Sequence, residues 1–246
     1  MRMEEMTSPE VEALAREGVP VILPLGSVEE HGPHLPLATD LYTAYGVAEL
    51  AAQRGRALVA PPVYYGLCRS TSEHPGTVSL RGETLRALVL DLLKGFFKQG
   101  FRAFLLLSGH AGGTHLAFIL DAAEEFLAHH PEAALAVVSL LDLLRERAGD
   151  LIETPGDSHA GEWETSLIQH FHPHLVRSLP PEEYPRFPRY RLVFAKRDFW
   201  PGGIWGDPTK ASPDKGRLLA ERLAEGLEFL LKELREEVLC GKGSAS

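Results

Sequence analysis

Four short apolar runs, at residues 19–25, 57–63, 101–107 and 134–140, constrain this chain more than anything else in it. Each is bounded by Gly, Pro or polar residues, and each is too short for a helix of ordinary length. Because the runs are apolar throughout and do not alternate, they predict strands buried on both faces, the mark of a parallel sheet covered by helices. Stretches of helical periodicity at 41–53, 82–99 and 114–129 separate them, and strand and helix in alternation define an α/β fold. Right-handed crossovers then place helices on both sides. The expectation is a single-domain, three-layer α/β/α sandwich with a mostly parallel central sheet over residues 1–240. A chain of 246 residues, 44% hydrophobic, is long enough to bury one such core.

Beyond residue 150 the pattern loosens. Residues 161–171 read as helix, 177–188 are rich in Pro and charge, and 189–195 could form a strand. Residues 213–238 carry Leu218, Leu219, Leu223, Leu227, Leu230, Leu231 and Leu234 on one stripe, which predicts an amphipathic helix packed on the sheet. The small, polar tail at 241–246 is expected to fray.

Lys and Arg number 25 against 34 Asp and Glu, a net charge of −9 that offers no broad positive field to a phosphate backbone. Nucleic acid and anionic membranes are disfavoured as partners, leaving a small-molecule substrate. No apolar run approaches the roughly 18 residues of a spanning helix, and residues 1–18 are charged, so a cytoplasmic location is expected. Cys68 and Cys240 stand far apart with no neighbouring cysteine, which supports neither a disulfide framework nor a thiolate metal site. Any metal is expected on His and carboxylates.

Such groups crowd the strand ends. The first strand runs into Pro24-Leu25-Gly26-Ser27-Val28-Glu29-Glu30-His31-Gly32-Pro33-His34-Leu35-Pro36, with Asp40 opening the next helix. Ligands of open α/β sheets bind outside the carboxyl ends of the strands, where this loop lies. In extended chain Glu29 and His31 share a side and can reach one ion together. Asp40 alone reads more readily as a helix N-cap, and it is its neighbours that favour a ligand. The third strand ends in Ser108-Gly109-His110-Ala111-Gly112-Gly113, bringing a second histidine to a strand end. A third cluster, Asp157-Ser158-His159-Ala160-Gly161-Glu162-Trp163-Glu164-Thr165-Ser166, offers His159 and Glu164 if the chain folds back, or simply an acidic first helical turn. Two divalent ions would balance Glu29, Asp40, Glu164 and a bridging hydroxide. Ions about 4 Å apart can acidify water and polarise the bond under attack. The mixed imidazole and carboxylate donors suit Zn²⁺ or Mn²⁺, with Fe²⁺ a further candidate.

Together the first motif with Asp40, the Ser108-Gly109-His110 turn, and His159-Ala160-Gly161 followed by Glu164-Thr165-Ser166 resemble the creatininase (creatinine amidohydrolase) family. Gly206-Asp207-Pro208 resembles a further family feature. The resemblance implies a metal-dependent amidohydrolase with two divalent ions per chain. Glu29, Asp40 and His110 would hold one ion and His31, Asp40 and Glu164 the other, with Asp40 bridging. It also implies that His159 acts on the leaving nitrogen as a general acid, and that Glu164 belongs to the catalytic set. His34 would orient a ligand, and His74, in a segment that also resembles one of the family, would stand behind the ligands or near the substrate. A homo-oligomer, a hexamer in the family, follows from the same likeness. Two departures bear on the substrate. Gly112 stands where creatininase has a metal-binding glutamate, and Ser72-Glu73-His74-Pro75-Gly76-Thr77 lacks the aromatic residue usual before Pro-Gly-Thr. Creatinine itself, another small cyclic or linear amide, a formamidopyrimidine and a peptide therefore all stay open as substrates. Trp163, Trp200 and Trp205, the last two beside Pro201-Gly202-Gly203, are candidates to line or cap a pocket, against core packing as the commoner fate of tryptophan.

Two other readings remain at this point. A noncatalytic binding or assembly module of the same fold would be expected to have lost ligands, and Glu29, His31, Asp40 and His110 are all present. A two-metal phosphoesterase is chemically accessible. No P-loop-like glycine stretch or arginine cluster accompanies these motifs.

Overall fold

The computed structural model describes residues 1–241. Eleven elements carry the fold: α1 (Ser8–Arg16), β1 (Val21–Leu25), α2 (Thr39–Gly55), β2 (Leu58–Val59), α3 (Gly82–Lys98), β3 (Ala103–Ser108), α4 (Gly113–His129), β4 (Ala134–Ser139), α5 (Leu140–Arg147), α6 (Glu162–Phe171) and α7 (Pro213–Gly241). The four strands are all parallel and lie in the order β2-β1-β3-β4. The expected tail at 241–246 lies outside the described residues, apart from the backbone of Gly241 that ends α7.

Side chains alternate across the sheet with period two, and each face supports its own core. Ile22, Leu105 and Leu107 point to one face, packing with Val47, Ala48 and Ala51 of α2 and Leu219, Leu223 and Leu227 of α7. Val21, Leu23, Leu25, Phe104 and Leu106 point to the other, against Val11 of α1, Leu85 and Val89 of α3 and Ile119 and Phe126 of α4. Each fully buried Leu or Phe removes enough apolar surface from water to contribute about 2 kcal/mol, so both layers of helices are held by the strands. This is the three-layer sandwich expected from the apolar runs.

Three local expectations change, and one helix adds to them. The second strand shrinks to Leu58–Val59 because Pro61 and Pro62 follow and carry no N–H for the ladder; pairing resumes only where the Val63 N–H meets the Pro24 carbonyl at 3.0 Å. The run at 134–140 ends in a strand at Ser139, whose hydroxyl accepts from the Asp142 N–H and starts α5. The charged N-terminal stretch contains α1, started by a reciprocal Thr7 and Glu10 capping box with Pro9 in its first turn. Residues 189–195 are not a strand. Tyr190 sits at φ +64°, Pro185 and Pro188 precede it, and Tyr190, Leu192 and Phe194 are 93%, 100% and 94% exposed.

Strand order places the site. From β1 the chain crosses one way to β2 and the other way to β3, so the topological switch point lies between β1 and β3, where a crevice opens beyond the carboxyl ends. Leu25 pairs with Ser108, and the two loops that follow emerge side by side. Gly109 is required there: a Cβ at this position would lie 1.9 Å from the Asp40 carbonyl oxygen.

Candidate active site

Asp40 is the second residue of α2, and the N-cap position falls to Ala38, which makes no side-chain cap. The carboxylate turns instead into the crevice. Its Oδ2 accepts from the Ser27 hydroxyl at 2.5 Å and lies 3.1 Å from His110 Nδ1, while its Oδ1 lies 3.2 Å from His31 Nε2. One carboxylate thus offers an oxygen to each of two histidines on different loops. Glu29 Oε1 lies 2.6 Å from His110 Nδ1, and the other Glu29 oxygen accepts from Thr71 Oγ1. Glu164 Oε2 lies 3.8 Å from His31 Nε2.

The turn before α6 delivers His159 and Glu164 together. Asp157 accepts from the backbone N–H groups of Glu162 and Trp163, each at 2.9 Å, and Ala160 takes a positive φ of 49°. The Ala160 N–H then donates to the Glu164 carboxylate, and His159 stacks on His31 with ring centres 4.1 Å apart. Glu164 is 2% exposed, so the alternative of a solvated acidic first turn does not hold.

Three carboxylates buried in one place, Glu29, Asp40 and Glu164, require compensating positive charge. Burial lowers the proton affinity of His31, but the Asp40 charge and hydrogen bond, with Glu29 and Glu30, outweigh it and push the imidazole up to about 8. Burial likewise opposes protonation of His110, and Glu29 and Asp40 reverse that, holding it well above its ordinary value. Glu164 is held well above the usual carboxylate range by burial, with the Asp40 charge adding to it against that of His159. The centre is built for cations. Tautomers inferred from hydrogen bonding agree: His31 Nδ1–H donates to the Glu29 carbonyl at 3.1 Å and His110 Nε2–H to the Leu67 carbonyl at 3.2 Å. The opposite nitrogens face the carboxylates. Glu29 Oε1 is buried without a hydrogen-bond partner despite lying 2.6 Å from His110 Nδ1. Donor atoms this close but not aligned with one another converge on a shared point, as ligands of one ion do. The groups Glu29–His31–His159, His31–Asp40–Glu164 and Glu29–Cys68–His110 each bring three donor atoms within 4.8 Å of one another.

Above this centre lies a cavity of about 110 Å³, walled by Ser70, Thr71, Ala111, Gly112, Ser158, Phe187, Trp200 and Trp205 with Glu29, Asp40, His110, His159 and Glu164. Trp200 and Trp205 line it as anticipated. His34 stands behind, with Nε2 2.9 Å from Thr165 Oγ1, and burial together with the charges of His31 and His159 pushes it down to about 4, so it is neutral. His74 packs behind Trp200 at 6.4 Å, 4.0 Å from Glu30, and does not reach the cavity. Trp163 is fully buried in the core and stands behind the cavity wall, its indole N–H donating to the Ser158 carbonyl and its backbone N–H to Asp157.

Four participants escaped the sequence reading. Thr71 and Cys68 arrive on residues 60–80, which carry no periodic signal. Glu30 accepts from His159 Nε2 through its backbone carbonyl at 2.8 Å, and Phe187 comes from the Pro-rich stretch. Cys68 has no partner in sequence, but the fold buries it beside Glu29 and His110.

A parallel α/β sandwich with a buried acid and imidazole centre at its switch point defines an α/β enzyme with a divalent-metal site. The chain matches the family model of creatininase, described as creatinine amidohydrolase, over residues 4–231. It is 34% identical over 230 residues to a mycofactocin precursor peptide peptidase of Mycolicibacterium smegmatis, covering 86% of this chain and 84% of that one. It is 29% identical over 251 residues to a creatinine amidohydrolase of Pseudomonas putida, covering 93% and 95%. Solved creatininases superpose closely. A manganese form matches with TM-score 0.83 and 27% identity over 94% of this chain and 97% of that one, and the Zn-Zn form of a creatininase point mutant with TM-score 0.82 at the same identity and coverage. The chain belongs to the creatininase family, and it is an amidohydrolase of that family.

Proposed function

We propose that this chain is a metal-dependent amidohydrolase that cleaves the C–N bond of a small, uncharged cyclic or linear amide at a dinuclear centre. The observation that supports this most is Asp40, with one oxygen toward His31 and the other toward His110, flanked by Glu164 and Glu29. Glu29, Asp40 and His110 would hold one divalent ion and His31, Asp40 and Glu164 the second. When bound, Zn²⁺, Mn²⁺ or Fe²⁺ supplies Lewis acidity, lowering the pKa of water and polarising the scissile carbonyl. The chain's own residues do the rest. Thr71 and Ser27 fix the carboxylate oxygens, the Glu29 and Leu67 carbonyls fix the two imidazoles, and Trp200 and Phe187 exclude water from the cavity. His159, whose Nε2–H donates to the Glu30 carbonyl, leaves Nδ1 free to accept the proton released from the attacking water and pass it to the leaving nitrogen.

The cavity lining has no Lys or Arg among the described residues, which favours a neutral amide over a carboxylate or phosphate ester. A peptidase reading is kept for one reason. A relative 34% identical is named for a peptide precursor, and only the small residues Ala111 and Gly112 line the cavity beside His110. We further infer a homo-oligomeric, cytoplasmic protein.

The test is a hydrolysis screen of the metal-replete protein against creatinine, formamides and short peptides, reading released amine or formate. Turnover of one class supports the reading and fixes the branch. No turnover of any, with both ions bound, would point to a binding module. In the active assay His159→Asn should lower kcat by about 10² to 10⁴ while the metal content stays that of the parent. An unchanged kcat would remove His159 from its role.

A further inference from the structure

We propose that Cys68 is a metal ligand of this centre, its sulfur completing the donor set of Glu29, Asp40 and His110 and biasing that position toward Zn²⁺ over Mn²⁺. The inference rests on the metal-dependent reading above.

Its basis is placement. Cys68 is 1% exposed, and its sulfur, a Glu29 oxygen and a His110 nitrogen lie within 4.8 Å of one another. The segment that carries it is pinned at three points. The Leu67 N–H donates to His115 Nδ1 at 3.1 Å, the Leu67 carbonyl accepts from His110 Nε2–H at 3.2 Å, and the Cys68 N–H donates to Ser79 Oγ at 2.9 Å. The backbone bond that orients His110 therefore also sets the position of the adjacent cysteine. Glu29 Oε1, 1% exposed, makes no aligned hydrogen bond although it lies 2.6 Å from His110 Nδ1, as expected of two donors turned toward a shared ion. A Cβ at Gly112 would stand 2.5 Å from His110 Nε2, so residue 112 supplies no donor.

Chemistry then sets the consequence. Three O and N donors make a hard to borderline site that accepts Mn²⁺ and Zn²⁺ alike, whereas a thiolate is soft and selects zinc. On coordination the S–H bond breaks, its proton leaves to water, and the sulfur lone pair forms the metal bond.

The experiment uses the full-length Cys240→Ser protein, so that Cys68 is the single thiol, loaded with Co²⁺. A near-ultraviolet thiolate-to-cobalt charge-transfer band is expected, together with protection of Cys68 from alkylation. In Cys68→Ser the band should vanish while cobalt stays bound, and Zn²⁺ affinity should fall by roughly tenfold or more, with Mn²⁺ affinity little changed. Cys68→Ala, which introduces no oxygen donor, should show the same loss of zinc preference. Cobalt bound without the band, or an unchanged Zn²⁺ to Mn²⁺ ratio in both variants, overturns the proposal and leaves the amidohydrolase reading intact. Failure to bind cobalt at all overturns both.

Discussion

At the scale of single residues, the centre depends as much on groups that hold the ligands as on the ligands. Thr71 donates to one oxygen of Glu29 and thereby leaves the other toward His110. Replacing it by Val keeps the shape and removes the donor. Metal affinity should then fall about 10- to 100-fold on titration, with little change in melting temperature. Wild-type affinity in Thr71→Val would mean that Glu29 needs no such anchor. Much of the first loop was legible in the sequence, because Glu29, His31 and Asp40 sit together after a strand and the strand end is where α/β folds bind. Thr71 and Cys68 were not, since they approach from a stretch that belongs to neither strand nor helix and is near in space only through hydrogen bonds to Glu29, His110, His115 and Ser79. Trp163 follows His159 closely in sequence, and its side chain faces the core beneath the cavity wall.

At the scale of elements, α6 must be held rigidly for Glu164 to face His31, and a buried ion pair does much of this. Glu162 is fully buried and accepts from Lys215 of α7, with backbone donors from Glu153 and Thr154 at 3.1 and 2.8 Å. Removing the lysine leaves a buried carboxylate with only part of its partners. Lys215→Met should cost about 3 kcal/mol in denaturant unfolding, and adding Glu162→Gln should recover part of that loss. A double variant no more stable than Lys215→Met would show the two side chains to be uncoupled. The helical stripe of α7 was readable from Leu219, Leu223, Leu227, Leu231 and Leu234, all buried, since a 3.6-residue period survives without knowledge of the partner. The length of β2 was not, because only pairing with β1 reveals that Pro61 and Pro62 end the ladder.

At the scale of the whole molecule, the loop between Phe187 and Trp200 leaves the cavity wall and returns to it, exposing Tyr190, Leu192 and Phe194 in between. Three apolar side chains in open water on one short segment are costly unless covered, and a homo-oligomer would cover them. Leu192→Asp combined with Phe194→Asp should shift sedimentation toward the monomer with little loss of monomer stability, because neither side chain is buried within the chain. A parent protein that already sediments as a monomer would exclude this loop as a contact. Periodicity alone suggested a strand at 189–195; the alternation is real, but among the described residues no neighbouring strand offers it a ladder.

The proposed chemistry depends on Asp40 serving two ions at once, and the most direct measurement is metal content per chain by elemental analysis, for wild type and Asp40→Ala, after saturation with zinc and removal of free metal. About two equivalents in the wild type and at most one in the variant, with turnover lower by orders of magnitude, is the predicted result. Two equivalents retained in Asp40→Ala with full activity, or none bound by the wild type, would contradict it.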